Sequence, residues 1–253
     1  IFDTESGLVN GFTIKNGVGN PLADNEGYIA GGIYIKNSGV DLRHLIVTEN
    51  QAPHGAGISI VNSTCNLFNV DILQNGHGSY TVGNSSTGFW TATGASDGGG
   101  MHSATSNINF TECKILFNNS TFEGGGIELI VSDNEISFLN TIIANNFAAY
   151  EGGGIDITGT GSLSIKNSTI VNNNAPEGSA IDGHITNLNL INSIIWNNEV
   201  NLEYGDFVPS YSNVQYYNGS NTGVINADPL FKDPENGDYT LQAIFPFDFL
   251  GIY

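Results

Sequence analysis

Apolar and polar residues alternate with a period of two along most of this chain. Segments such as Ile127-Glu128-Leu129, Ile136-Ser137-Phe138 and Leu163-Ser164-Ile165 place every second side chain on the same face of an extended backbone. Short runs of this kind, bounded by Gly and Asn, are typical of β-strands. Because no longer stretch carries apolar residues at helical spacing, the pattern predicts an all-β chain.

The alternating segments belong to an internal repeat. Each copy begins with a turn of Gly or other small residues and then an apolar residue, here called the anchor, followed later by an apolar-apolar-x-Asn element. Successive anchors lie 25, 43, 26, 28 and 26 residues apart, and a degenerate seventh copy precedes them at residues 11–16. The anchors are Ile33, Ile58, Met101, Ile127, Ile155 and Ile181.

A repeat of this length fits one coil of a parallel β-helix. Propeller blades need ~40–45 residues, and leucine-rich repeats usually include a helical segment. Like positions of successive coils would then lie about 4.8 Å apart. We therefore predict a right-handed parallel β-helix of about seven coils over residues 1–198, with insertions at residues 17–30 and 76–97, and a short C-terminal β cap within residues 199–253.

The Gly-Gly-Gly-Ile turns at residues 124–127 and 152–155, with the Ile-x-x-Asn elements, resemble the right-handed parallel β-helix repeat proteins of bacterial surfaces. That group includes the polymorphic outer-membrane protein repeats and pectate-lyase-like repeats. Residues 10–14 and 228–241 resemble the start and close of such domains in large secreted proteins. The resemblance implies this fold and an extracellular or bacterial cell-surface location. It implies no single activity, because the architecture hosts adhesins, lyases and hydrolases alike.

The charge balance restricts the partners. The chain has 25 acidic residues against six Lys and Arg, a net charge of −19, which excludes nucleic-acid binding through counterion release. No apolar run approaches the ~18 residues of a membrane span. The partners that this leaves open are a polysaccharide, another surface protein, or a second copy in end-to-end association. Cys65 and Cys113 fall at different repeat positions, so we expect no disulfide between them.

Two insertions leave the repeat just before its Gly turn, so both should project from one side of the solenoid. Insertions on one face of a solenoid usually mark the binding face. Their acidic and aromatic residues are candidates for ligand binding, because exposed rings can stack on sugars, although the rings could equally fold back as a small apolar cluster. These candidates are Asp24, Glu26, Tyr80, Phe89 and Trp90.

Acidic residues recur on both sides of the Gly turn. One set immediately precedes the turn, and the second follows it, with His102 one coil earlier; alternation predicts that the second set faces outward. Like charges ~4.8 Å apart repel by about 1 kcal/mol in water and ~3–4 kcal/mol at an effective dielectric constant of 20. Solvent screening or a bound Ca²⁺ would offset this repulsion. The candidate metal ligands are Asp97, Glu123, Glu128, Glu151, Asp156, Glu177 and Asp182.

Other polar positions give weaker predictions. Asn140, Asn167 and Asn192 share one repeat slot with Cys113 and are expected to face inward, bonding the next coil's backbone. The histidines at 54, 102 and 184 fall at different repeat positions and predict no metal-ligand pattern.

Paired carboxylates also serve glycoside hydrolysis, but the known β-helix enzymes are poorly matched. The lyases that the repeat resembles use Lys or Arg as base, and none of the six basic residues lies in an insertion. Of the polygalacturonase-like motifs only Gly76-His77-Gly78 is present. The leading interpretation is a non-catalytic secreted or cell-surface module, structural or adhesive, that requires no cofactor beyond a candidate Ca²⁺. A carbohydrate-active enzyme or binding module and a head-to-tail filament subunit stay open.

Overall fold

The computed structural model describes residues 1–19, 30–77, 79–84, 88–93, 95–185, 187–199, 202–203 and 208–242. Among them the one helix is a 3-10 turn, Pro234–Asn236, so no described helix could cross a membrane. The strands are β1 Gly7–Asn10, β2 Thr13–Lys15, β3 Ile33–Lys36, β4 Gly39–Thr48, β5 Ile58–Val61, β6 Thr64–Leu73, β7 Ser79–Asn84, β8 Gly88–Thr93, β9 Ala95–Asp97, β10 Met101–Ala104, β11 Asn107–Thr111, β12 Lys114–Leu116, β13 Asn119–Glu123, β14 Ile127–Leu139, β15 Ile142–Ala144, β16 Phe147–Ala148, β17 Ile155–Lys166, β18 Thr169–Val171, β19 Ile181–His184, β20 Asn187–Ile191, β21 Ile194–Trp196, β22 Leu202–Glu203, β23 Val208–Ser210, β24 Asn213–Val214, β25 Phe231–Asp233 and β26 Asp238–Leu241.

Nearly all of these strands pair in parallel with the equivalent strand of the next repeat. The first strand of each coil runs through β3, β5, β10, the start of β14 and of β17, β19 and β22. The second and third strands form two further parallel columns. The predicted all-β parallel β-helix is therefore confirmed.

The apolar core follows the register predicted from the anchors. Ile127 pairs with Ile155 and Ile155 with Ile181, and all six anchors are buried. The third-strand column is eight layers deep, ending at Val214 on β24. It consists of Ile14, Val47, Ile72, Ile115, Ile143, Ile170, Ile195 and Val214. The eighth layer lies where the repeat is no longer recognisable in the sequence.

A ladder of buried asparagines holds one corner of the coils together. Asn118 Nδ2 donates to the Ile72 carbonyl at 2.9 Å and to Asn146 Oδ1 at 3.0 Å, while the Asn118 backbone N–H donates to the same oxygen. This satisfies turn groups that a buried corner would otherwise leave without partners. The ladder consists of Asn50, Asn75, Asn118, Asn146, Asn173 and Asn198.

The prediction that three corner asparagines face inward is wrong. Asn140, Asn167 and Asn192 are exposed and lie in the left-handed region, at φ 52°, 51° and 49°. The inward slot at their corner is the following residue, whose buried side chain carries a hydroxyl or a thiol. Each hydroxyl accepts a hydrogen bond from the backbone N–H of the equivalent residue one coil earlier. That slot holds Cys113, Thr141, Ser168 and Ser193. Both cysteines are buried free thiols.

The C-terminal cap lies along the side of the stack. β25 and β26 pair antiparallel, and Phe231 and Tyr239 pack in one cluster with Ala144 and Val171. The Tyr239 hydroxyl accepts a hydrogen bond from Asn145 Nδ2 at 2.7 Å. The cap therefore fastens several coils to one another from outside.

Candidate metal centre

Parallel stacking turns the acidic repeat positions into two rows along the solenoid. The corner row, Asp97, Glu123, Glu151 and Glu177, precedes the Gly turns, and its members pair from coil to coil. The strand row, His102, Glu128, Asp156 and Asp182, occupies the second position of the strand that follows each turn, in direct register. Each row therefore repeats at the spacing of neighbouring β-strands, ~4.8 Å.

The Gly turns fold the corner row over the strand row. Gly124, Gly152 and Gly178 lie in the left-handed region, at φ 60°, 64° and 50°. A Cβ on Gly152 would lie 2.5 Å from the Cβ of Asp156. Only glycine therefore allows both the turn and this close approach.

The prediction that the strand row faces solvent is wrong. His102, Glu128, Asp156 and Asp182 are 1%, 6%, 1% and 2% exposed. Alternation does direct these side chains away from the apolar core, but the preceding corner covers them. The corner row and the strand row thus face each other, and we call the narrow space between them the acidic groove.

Three groups in the acidic groove have the dimensions of a cation site. Within each group, one ligand atom from every residue lies within 4.8 Å of the others. Ca²⁺ binds oxygen at ~2.3–2.6 Å, so two oxygens on one ion are at most about 4.6–5.2 Å apart. Each group is therefore within reach of a single ion, and neighbouring groups share Glu128 or Asp156. The groups are His54–Asp97–Glu128, Glu123–Glu128–Asp156 and Glu151–Asp156–Asp182.

Burial and mutual repulsion make the central carboxyls hard to ionise. Burial, followed by the charges of Asp97, Asp156 and Glu123, raises the pKa of Glu128 to about 9. Burial, then Glu123 and Asp182 among other carboxylates, raises the pKa of Asp156 to about 8. Burial also raises the pKa values of Glu123 and Glu151. The groove therefore holds protons unless a cation compensates its charge.

The central carboxyls also have unused hydrogen-bonding capacity. Glu128 Oε2 and Asp156 Oδ1 have no hydrogen-bond partner among the described residues. In the part of the chain that the structure describes, the ion pairs of Arg and Lys lie outside the groove, at Arg43–Asp41 and Lys232–Asp238. A buried carboxylate without compensation is costly, so these two oxygens are positions where a cation would be stabilising.

Two histidines extend the groove, and one of them, His54, belongs to a candidate ligand group. His54 Nδ1 lies 2.7 Å from Asp97 Oδ2, and His102 Nε2 lies 3.6 Å from Glu128 Oε2. His54 precedes Gly55 as Asp97 precedes Gly98, and the two residues pair. The insertion at residues 76–97 separates His54 from the acidic residues in sequence, and the position relative to the Gly turn is the signal that identifies it. His184 is exposed and belongs to none of the three groups.

The structure places all seven predicted metal ligands in the acidic groove. Glu177 pairs with Glu151 at its C-terminal end, outside the three groups. Asp24 and Glu26 lie outside the described residues. Tyr80 lies on β7, and Phe89 and Trp90 on β8, of an antiparallel hairpin, but their side chains lie outside what the structure describes.

Comparison with known proteins assigns no chemistry to the acidic groove. The chain matches no protein-family model, no curated protein and no solved structure. The two rows and their surroundings are therefore the basis for assigning a function.

Proposed function

We propose that this chain is a non-catalytic, secreted or cell-surface β-helix module, structural or adhesive, whose acidic groove binds Ca²⁺. The observation that carries the proposal is Asp156, which is 1% exposed, has an oxygen without a hydrogen-bond partner, and belongs to two of the three ligand groups. The donors around it are carboxylate oxygens, which are the ligands that Ca²⁺ prefers.

Calcium in the groove would join successive coils. The group Glu123–Glu128–Asp156 takes two ligands from one coil and the third from the next, and Glu151–Asp156–Asp182 does the same one coil later. An ion bound there replaces repulsion between neighbouring layers with attraction to a shared charge. The expected effect is a stiffer and more stable solenoid, which suits a structural or adhesive role.

A calcium titration tests the proposal. Binding to the folded state stabilises it by about 2.7 kcal/mol when the ligand is at ~100 times its Kd. For a chain of this size we expect Ca²⁺ to raise the melting temperature of chelator-treated protein by about 5–10 °C. NaCl at matched ionic strength is the control for simple screening. An equal rise with NaCl, or no rise with Ca²⁺, would contradict calcium binding.

Carbohydrate binding is a second candidate, favoured by a pair of exposed rings. Phe122 and Tyr150 immediately precede Glu123 and Glu151, and their rings stack with centroids 5.1 Å apart and planes inclined by 4°. The rings are 47% and 46% exposed, so they present a flat apolar surface beside carboxyl groups. A polysaccharide-binding screen tests this candidate. Binding lost in Phe122→Ala and kept in Phe117→Ala, another exposed ring, would support it.

A further inference from the structure

We propose that the end of the acidic groove formed by His54, Asp97, Glu128 and His102 is a separate site for a borderline transition ion of the Zn²⁺ class. The inference rests on the proposed function, because this site shares Glu128 with the neighbouring calcium group. It adds a second class of metal at a defined place in the same groove.

The donor atoms change character along the groove. The two groups nearer the C-terminus offer carboxylate oxygens alone, whereas the first group offers an imidazole nitrogen with two carboxylates. Imidazole nitrogen suits Zn²⁺, Cu²⁺ and Ni²⁺, while Ca²⁺ takes oxygen ligands. The row of sites therefore divides by donor chemistry at Glu128.

A second imidazole, that of His102, borders this group of three ligands without belonging to it in the present geometry. His102 Nε2 is 3.6 Å from Glu128 Oε2, and the rings of His54 and His102 have centroids 5.9 Å apart. With Zn–N at ~2.0–2.1 Å, an ion lies about 3.2 Å from each ring centroid, so two rings ligating at the tetrahedral angle are about 5.2 Å apart, and the partly exposed His54 ring would move about 0.7 Å toward His102 to reach this spacing. Two nitrogens and two oxygens match the four-coordinate geometry of Zn²⁺.

The surroundings prepare the site for a metal. His102 is buried, which restricts the orientation of its ring. His54 and Asp97 are partly exposed, with 28% and 16% of their side chains accessible. Their side chains can therefore separate from the present 2.7 Å contact to tetrahedral ligand spacing without moving the core.

Zinc titration in saturating Ca²⁺ tests the inference. We expect the chelator-treated wild-type chain to bind one Zn²⁺ by isothermal titration calorimetry. Loss of a partner around a metal ligand typically weakens affinity 10–100-fold, so His54→Ala should weaken Zn²⁺ binding by at least about tenfold. The same variant should leave the Ca²⁺-induced rise in melting temperature unchanged. His184→Ala, at an exposed histidine outside the groove, should change neither response.

A converse variant separates the two proposals. Asp182→Asn, in the group farthest from His54, should reduce the calcium response and leave Zn²⁺ affinity unchanged. If Zn²⁺ does not bind, or binds His54→Ala as well as wild type, the transition-metal site is wrong while calcium binding stands. If Ca²⁺ fails to bind and Zn²⁺ binds through His54, the calcium proposal fails instead. His54→Gln repeats the test if the alanine variant does not fold.

Discussion

Replacing Asp156 with Asn should stabilise the calcium-free protein and reduce its response to Ca²⁺. The substitution keeps the size of the side chain and removes its ability to ionise. In the folded chain the pKa of Asp156 is raised from 3.8 to about 8, mainly by burial. The new amide would also donate a hydrogen bond toward the surrounding carboxylates, where Asp156 can only accept once it is ionised.

The size of the stabilisation follows from proton linkage. A carboxyl whose folded-state pKa is raised contributes no penalty below its unfolded pKa, a growing penalty between the two pKa values, and a constant one above them. At pH 7 the Asp156 carboxyl keeps its proton in the folded chain and loses it in the unfolded chain. This pH lies about 3 units above the unfolded pKa. At ~1.4 kcal/mol per unit this is on the order of 4 kcal/mol. The penalty is absent below about pH 4 and complete above about pH 8.

Urea unfolding with a chelator, at about pH 4 and about pH 8, measures this effect. Wild-type stability should fall as the pH rises, and Asp156→Asn should fall less. With Ca²⁺ at about pH 8 the stability advantage of Asp156→Asn over wild type should shrink or reverse, because only the wild type supplies this carboxylate to the ion. A variant that is less stable than wild type at about pH 8 without calcium, or that responds fully to calcium, would refute the reasoning.

Asp41→Asn is the matched control. Asp41 is a surface carboxylate whose pKa is lowered by hydrogen bonds from Asn66 and Arg43. Its loss should destabilise the chain by less than about 1 kcal/mol. It should leave the calcium response unchanged, since Asp41 lies outside the groove.

Three further substitutions test other parts of the structure by urea unfolding. Gly152→Ala combines positive φ with a contact on Asp156 Cβ, whereas Gly11→Ala has positive φ and nothing within 4 Å of the new Cβ. Backbone strain of this kind costs about 1–3 kcal/mol, so Gly152→Ala should lose more stability than Gly11→Ala. Equal losses of stability would contradict the covering of the strand row by the corner. Asn146→Ala removes the acceptor of the Asn118 backbone N–H and one of the two acceptors of the Asn118 side-chain amide, and it should cost about 3 kcal/mol or more. The exposed Asn140→Ala should cost less, and equal costs would mean that the ladder is not what joins the coils. Tyr239→Phe removes the acceptor of Asn145 and Asn172 and should cost about 1 kcal/mol, and an unchanged midpoint would show that the cap is not held through this hydroxyl.

The sequence predicted the fold because every copy of the repeat keeps its apolar anchor. The spacing of Ile127, Ile155 and Ile181 is enough to place them in one column, and the same spacing places Glu123 over Glu151. The inward residue of the other corner was harder to assign because two polar residues stand next to each other there, as at Asn140 and Thr141. Asn140 takes the left-handed turn and Thr141 points inward, and a period of two cannot distinguish them.

Burial of the strand row could not be predicted from alternation. Alternation tells on which side of a strand a residue lies, but whether that side meets solvent depends on what covers it. Here the covering segment is the preceding corner, brought into contact by the left-handed glycines at 124 and 152. The participation of His102 depends on the same covering, while that of His54 was obscured by the insertion of residues 76–97.

A crystal structure of the protein grown with Ca²⁺, with anomalous scattering to identify the ion, tests the central claim most directly. We expect an ion about 2.3–2.6 Å from carboxylate oxygens of both Glu128 and Asp156, between the corner row and the strand row. Water alone in the groove at saturating Ca²⁺, with the two carboxyls still without an ion, would contradict it.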